Sequence, residues 1–599
     1  MTKPRRGKQL TDGQRRARDE FRRIAADHPN SLTILADTAV DQSGALQVIV
    51  RLPTRDLPAV DGGLPLGDVE DITVGVFPGF PFGPPMASVN HQRFAGHPHV
   101  LQGDRLCVYL DPAREWHPAQ GISGFLERLW QWLADGAAAR FDPTTALYHP
   151  VGGVLHQTPE TPTIVIRDRF SPAGKTFARA FVTIRSPRRL DLTWSRPANA
   201  NAHTAPVIVL AAPLRFGAGE TLAGLLARIA SRGQPPPEDV LAILAANAQR
   251  NPEGSVLHFL LAIPNSRSGD HHLIVGRLPS AFADLLRQVA QQQGPLVRIP
   301  VAAIPADLPI EWCGVSDERP EISTRRDHQR PTSAFAGKRI HIWGCGGLGS
   351  WIAEFIARAG AANIVLCDPA SVSGGLLVRQ NYTESDIGHH KANALADRLR
   401  AINDRLDVAT SVGALPADTI SPLPDCDVII DATINLSLGV LLDAEMRRHP
   451  LSGGRPLIAQ VATDTQTGTL GLLTVAASDY PGGPGLIDQC TGDIVLKDSR
   501  LERFHTFWQP PETGDELIPA RGCSTPTFHG SAADLAAVAA TLVSLLGPHL
   551  QIMASGTHLI ALPHADGDGP AHNFVPAPPR PPIAHSSLPH ALPVRTPAD

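Results

Sequence analysis

Cysteine is scarce and scattered in this chain. Among 599 residues there are 7 cysteines, at positions 107, 313, 345, 367, 426, 490 and 523. No two of them form a C-x-x-C pair, which excludes a disulfide framework and a zinc site built from paired cysteines. Long apolar runs are missing as well. No stretch reaches the roughly 18 uninterrupted apolar residues of a membrane-spanning helix. The basic start, Met1 to Arg6, is not followed by an apolar signal core, and the apolar segment 535–546 reads as a buried helix. A cytoplasmic location with no membrane partner is expected. Charge of one sign is not in excess either. Lys and Arg number 53 against 58 Asp and Glu, a formal net charge of −5, so no overall basic field attracts nucleic acid. The short basic runs at 3–8 and 15–23 read as solvated surface.

What remains is ordinary globular material: 43% hydrophobic and 19% charged residues, with length for three or four domains. Residues 1–152 begin with a helical pattern over 14–26, in which Phe21, Ile24 and Ala25 share a face. Strand-like runs follow at 31–35, 45–51 and 71–77. A proline-rich turn region covers 77–85, and an amphipathic helix over 121–135 carries Phe125, Leu129, Trp130 and Leu133. Residues 155–327 alternate short apolar runs (163–166, 207–211, 257–263) with helical stretches (222–229, 238–248, 281–292). They read as a compact α/β spacer or docking domain without a chemical motif. Residues 330–562 open with a strand over 339–343, a glycine-rich turn, a helix over 349–359 and a second strand over 363–367. That is a β-α-β unit of a parallel sheet. Residues 563–599, rich in Pro, Ala, His and Ser, read as a disordered tail. The fold class is thus multidomain, α/β and α+β.

The turn between strand and helix reads Gly344-Cys345-Gly346-Gly347-Leu348-Gly349. Glycines there let backbone approach a phosphate, and the helix N-terminus offers free N–H donors. Asp368, at the end of the next strand, is placed for a ribose hydroxyl. Up to this point a nicotinamide-binding domain fits equally well. Two cations further on favour adenylation. Arg379 supplies a fork for phosphate oxygens and Lys391 a point charge. Both would stabilise the charge that develops when a carboxylate attacks the α-phosphorus of ATP.

Gly344–Gly349, Asp368, Arg379-Gln380 and Lys391 together resemble the ThiF-type adenylation family, which includes ubiquitin-activating enzymes and the adenylating enzymes of thiamine and molybdopterin synthesis. The resemblance implies a Rossmann-like domain that uses ATP and Mg2+. It puts phosphate on Gly344, Gly346, Gly347, Gly349, Arg379, Gln380 and Lys391, and ribose on Asp368, and it implies a homodimer. Asp431, in Asp431-Ala432-Thr433-Ile434-Asn435, is the candidate Mg2+ ligand. The sequence departs from the family at Ile434, where a second Asp is common, and at Leu376, where an Asn commonly precedes the Arg-Gln pair.

Cys523 lies in a loop-like stretch just before a helix over 531–546, where a thiolate gains from the helix dipole. By resemblance to homodimeric ubiquitin-activating relatives it is expected to take the activated carboxyl group from AMP; Cys490 is the rival. In the first domain, Phe80-Pro81-Phe82-Gly83-Pro84-Pro85, His97-Pro98-His99, Cys107 and Trp116-His117-Pro118 follow one another in the order seen in ubiquitin-conjugating enzymes. That resemblance makes Cys107 the conjugating nucleophile. His99 takes the place of the family's oxyanion-stabilising Asn, either keeping its role or serving as a plain loop residue, and His117 is a candidate base. Conjugating module, spacer and activating module in this order resemble the fusions of bacterial antiphage CBASS and related ubiquitin-like conjugation operons. The implied partners are the C-terminus of a ubiquitin-like protein or of a nucleotidyltransferase, and protein targets that accept it. A sulfur-carrier adenylating enzyme without conjugation, or a non-catalytic nucleotide-binding scaffold, are the alternatives.

Overall fold

Helix α1 (Asp12–Asp27) starts where the sequence supplies its own cap. Thr11 and Gln14 form a reciprocal capping box, with Thr11 N donating to Gln14 Oε1 at 3.0 Å. The Gln14 amide then donates to the carbonyls of Gly44 at 2.8 Å and Val76 at 2.9 Å, tying the helix to the sheet behind it. These distances come from a computed structural model of the chain. It describes residues 9–579 except 42, 92, 95–96, 98, 102–103, 142–157, 159, 173, 199–200, 213–217, 231–233, 265–269, 295–297, 321, 323–326, 414–419, 421, 434, 449–453, 510–516, 521–522 and 527–529; the side chains of 38, 39, 436, 517–520 and 523–526 are likewise outside the description. The chain forms two compact units, 1–324 and 325–599.

In the first unit an antiparallel sheet runs β1 (Thr33–Val40), β2 (Leu46–Pro53), β3 (Val69–Val76), β4 (Met86–Val89), β6 (Arg105–Leu106), β5 (Val100–Leu101). Leu46, Val48, Val50 and Leu52 alternate inward on β2, as a sheet with one covered face requires. They meet Ala17 and Phe21 of α1 and Ile122, Phe125, Leu129 and Leu133 of α3 (Gly121–Ala137). Short helix α2 (Pro112–Glu115) precedes α3. This is the α+β domain expected from the sequence.

The following segment closes into a barrel of seven strands: β10 (Ala202–Val209), β11 (Leu257–Pro264), β12 (His271–Leu278), β13 (Glu311–Asp317), β7 (Thr163–Ile166), β9 (Arg189–Thr193), β8 (Phe177–Ser186). The unbroken apolar run of β11 has two destinations. Leu260 and Ala262 fill the barrel with Val207, Val275 and Cys313. Phe259, Leu261 and Ile263 pack under α4 (Leu222–Ile229), α5 (Pro237–Ala248) and α6 (Ser280–Gln293). Burial on both faces is why no alternation shows in the sequence.

In the second unit eight strands run β16 (Asp407–Ser411), β15 (Asn363–Cys367), β14 (Arg339–Trp343), β17 (Val428–Asp431), β18 (Leu457–Thr463), β19 (Leu470–Ala476), β22 (Gly556–Ala561), β23 (His572–Pro576). The first five are parallel. Helices α7 (Gly347–Ala359), α8 (Lys391–Ile402) and α11 (Ala532–Leu546) cover one face; α9 (Leu436–Arg448) and α10 (Pro484–Val495) cover the other. A two-stranded ribbon, β20 (Leu517–Ala520) with β21 (Cys523–Pro526), precedes α11. By length and composition 532–550 could cross a membrane, but Leu535, Val538, Ala539, Leu542, Val543 and Leu546 are buried in the domain core, as expected.

The reading of 563–599 as disordered is corrected over 572–576 by β23, which pairs with β22 from Gly556↔Pro576 to Ile560↔His572; residues 580–599 lie outside the described residues. Val575 joins Leu472 and Leu559 in a small core, so a strand that proline-rich composition concealed covers the sheet edge. Three histidines pin it. His549 Nε2 lies 2.8 Å from His558 Nε2, and His558 Nδ1 lies 2.9 Å from His572 Nε2. His549 Nδ1 faces the Ala554 carbonyl at 2.7 Å, so Nδ1 carries its proton and each bond runs one way, from His572 to His558 to His549. The row is satisfied only when neutral. Burial holds His558 down at about 3. Below the ordinary imidazole value of about 6.5 the unfolded chain therefore binds more protons, and stability is lost as pH falls. The melting-temperature advantage of the wild type over His558→Gln should be largest near pH 7 and shrink steadily toward about pH 4.

Candidate active sites

The glycine turn is shaped by two steric demands. Gly344 has φ +86°, and a Cβ there would meet the Ala432 carbonyl oxygen at 2.8 Å. A Cβ on Gly349 would sit 1.9 Å from the Gly344 oxygen, so only glycine lets α7 close onto the turn. Gly346 has open space where its side chain would be and lines a cavity of about 440 Å³ with Gly344, Asp368, Thr433, Asn435 and Leu438. The uncapped first N–H groups of α7 begin here.

Asp368 directly follows β15 and is buried. Its Oδ2 accepts Cys345 N–H at 2.7 Å and its Oδ1 accepts Ala370 N–H at 2.8 Å. Each oxygen retains acceptor capacity for a hydroxyl. Lys391, first residue of α8, is buried too. Burial lowers its ammonium from the ordinary lysine value, the Arg379 guanidinium adds to that, and Asp368 opposes it. Asp368, Arg379 and Lys391 are thus brought together. Tyr382, which has no counterpart among the residues singled out from the sequence, ties the glycine turn to the start of α8: its hydroxyl donates to the Cys345 carbonyl at 2.7 Å and lies 3.3 Å from the Lys391 carbonyl. Its only sequence signal is its place three residues after Arg379. Gln380 is buried with its Oε1 unpartnered.

Asp431 ends β17, in register with Trp343 of β14 and Gln460 of β18. Its Oδ1 accepts Thr433 N–H at 3.0 Å and the Thr433 hydroxyl at 2.7 Å, and Oδ2 accepts the Gln460 amide at 2.9 Å. Ile434 lies outside the described residues. Among the described residues no three His, Cys, Asp or Glu side chains gather to hold a metal. One carboxylate beside a phosphate site still fits Mg2+, which draws most of its ligands from waters and substrate phosphates.

The cysteines separate clearly. Burial pushes the Cys345 thiol well up, Cys367 to about 11 and Cys426 to about 12, so these are core groups. Cys490 lies within α10, where burial and Asp493 raise its thiol. The backbone of Cys523 begins strand β21 rather than lying in the expected loop. The Cys523 side chain is outside the described residues.

In the first unit, Cys107 N donates to the His99 carbonyl at 2.9 Å, and its Sγ lies 3.4 Å from the Tyr109 carbonyl. A pocket of about 230 Å³ beside it is lined by Cys107, His99, Arg128, Trp132, Asp135 and Arg140. His99 has φ +62°, a left-handed conformation in which Asn and His are both enriched; its ring meets Phe141 edge-on at 5.0 Å. Trp116 donates from Nε1 to the Pro81 carbonyl at 2.7 Å and packs on Phe80 and Tyr109, so the proline-rich turn and the tryptophan are one feature. His117 is exposed, and its Nδ1 accepts Ala119 N–H at 3.2 Å. It caps the next turn and does not line the pocket. Burial, reinforced by Glu115, raises the Cys107 thiol.

One chain thus carries an α+β domain that presents Cys107 beside a pocket and, further on, a doubly wound sheet whose glycine turn lies near buried Asp368 and Lys391. Three family models tile the chain in that order: the prokaryotic E2 family A over residues 30–160, the Cap2 central linker domain over 155–318 and the ThiF family over 329–481. The chain thus unites an E2-like segment, a Cap2-type linker and a ThiF segment in one polypeptide. It is 36% identical over 109 residues to the sulfur carrier protein ThiS adenylyltransferase of Bacillus subtilis, covering 18% of this chain and 32% of that protein. It is 30% identical over 128 residues to the ATP-dependent ubiquitin transferase-like protein Cap2 of Enterobacter hormaechei, covering 21% of each. Protein y4oA of Sinorhizobium fredii is 22% identical over 537 residues, covering 79% and 81%. The chain thus spans about a third of the ThiS adenylyltransferase and a fifth of Cap2.

Proposed function

We propose that this protein uses ATP to activate the C-terminus of a partner protein, carries it as a thioester on Cys523 and then Cys107, and delivers it to an amine on a target. The observation that carries the reading is the union in one chain of the cavity lined by Gly344, Gly346 and Asp368 with the Cys107 pocket. The ATP ribose sits on Asp368 and its phosphates on Gly344, Gly346, Gly347, Gly349, Arg379, Gln380 and Lys391. The partner's carboxylate attacks the α-phosphorus, forming an acyl–phosphate bond as pyrophosphate leaves. Arg379 and Lys391 neutralise the charge that builds up. Bound Mg2+ would shield phosphate charge, with Asp431 as its protein ligand.

The Cys523 thiolate then attacks the acyl carbon and AMP departs. Cys107 takes the acyl group by thioester exchange, with His99 beside the reacting carbonyl, and a target amine releases it. The partner's C-terminus belongs to a ubiquitin-like protein or a nucleotidyltransferase. The working form is a cytoplasmic homodimer acting in antiphage defence, on protein targets. Full-length protein mixed with Mg-ATP and such a partner should exchange labelled pyrophosphate into ATP and form an adduct that dithiothreitol removes. Exchange without any thiol-sensitive adduct would refute the relay.

A further inference from the structure

The turn that carries Arg379, just after a short 3-10 helix over Gly374–Leu376, is held by two donors outside the signature residues. The indole Nε1 of Trp351, in α7, donates to the Arg379 carbonyl at 3.3 Å. The backbone N–H of Ala532, the first residue of α11, donates to the Val378 carbonyl at 2.7 Å. Ala532 N–H is one of the donors a helix leaves free at its start. The Val378 side chain is 68% exposed, so at that residue the hydrogen bond holds the backbone and packing does not. Both donors are seated on the phosphate-binding helix. The Trp351 ring stacks on Phe355 at 6.4 Å, and Leu535 of α11 approaches to 3.0 Å from where a Gly347 Cβ would be. Two successive carbonyls are therefore fixed relative to the glycine turn, and α11 begins nine residues after Cys523.

We propose that Trp351 and the first N–H of α11 are positioning groups for Arg379: they hold its backbone so that the guanidinium meets the triphosphate of ATP. The inference rests on the adenylation reading above. Each donor is committed to a backbone carbonyl of the turn, so in this proposal each acts through Arg379. Two substitutions remove one donor each. Trp351→Phe keeps an aromatic ring. Ala532→Pro deletes the N–H at the helix position where proline is best tolerated, and Ser531, at φ −90° and ψ 164°, already has the extended form favoured before proline.

Isothermal titration of the full-length chain with Mg-ATP, and separately with adenosine, reads the effect. Each variant should lose about 3- to 10-fold in ATP affinity, the range of one net hydrogen bond, and keep adenosine affinity within about twofold. On an Arg379→Ala background neither change should cost anything further, because the groups act through that side chain. Unchanged ATP affinity in both single variants overturns the proposal. So does an equal loss for adenosine, or a full additional loss on the Arg379→Ala background. Wild-type protein that binds no Mg-ATP sinks the adenylation reading and this inference with it, a result seen before either variant is made.

Discussion

Lys391→Ala should reduce partner-dependent ATP–pyrophosphate exchange by at least about 100-fold while leaving the fold intact. Removing one preorganised charge or donor from a water-poor site typically costs about 2.7–4 kcal/mol of transition-state stabilisation, or 10²–10³ in rate. Lys391 meets that description. It is 8% exposed, and burial depresses its ammonium while Asp368 sustains it. An ammonium kept under a desolvation penalty regains that energy when phosphate charge arrives. The same argument bounds the effect on stability. Alanine relieves the buried charge and leaves Asp368 with its two backbone donors, Cys345 N–H and Ala370 N–H, so the melting temperature should move little. Arg379→Ala should act in the same direction. If Lys391→Ala exchanges pyrophosphate at the wild-type rate, the cavity beside the glycine turn is not where the chemistry happens.

Cys523→Ala should leave pyrophosphate exchange near the wild-type rate and yet abolish the adduct on Cys107. The two steps use different atoms: exchange needs only the α-phosphorus, the partner carboxylate and the cations, whereas loading needs a sulfur to accept the acyl group. Cys107→Ala should do the reverse, with an adduct accumulating on Cys523 and none passed onward. Cys490→Ala should change neither, since that side chain sits within helix α10 and is not part of the proposed relay. Intact-mass measurement with and without dithiothreitol separates these outcomes. Normal loading of Cys107 in Cys523→Ala would mean that the acyl group goes directly from AMP to the conjugating domain. Undiminished biological output from Cys107→Ala would favour a sulfur-carrier type of adenylating enzyme.

The sequence revealed most where chemistry and backbone geometry share residues. The strands at 339–343 and 363–367 and the intervening helix were legible because the glycine turn, with Gly344 at φ +86° and Gly349 against the Gly344 carbonyl, admits no other residue. The ordered motifs around Cys107 were legible for a related reason: Trp116 reaches back to the Pro81 carbonyl, so distant motifs are one packed object. The barrel stayed hidden because β11 is buried on both faces and its run of apolar residues carries no period. Strand β23 was missed because the prolines around it announce irregular chain, although its antiparallel partner β22 lies just before it in the sequence. Tyr382, Trp351 and Ala532 were invisible because what they hold is backbone: one hydroxyl, one indole N–H and one amide N–H aimed at carbonyls. His99 was left open between two roles. Its left-handed backbone explains how histidine fits the turn.

The most direct test follows one acyl group through the whole chain. Full-length protein, Mg-ATP and its partner should release pyrophosphate and yield an adduct on Cys107 whose mass equals the partner less one water and which dithiothreitol removes. Release of no pyrophosphate, or an adduct that forms without ATP, would contradict the account at its first step.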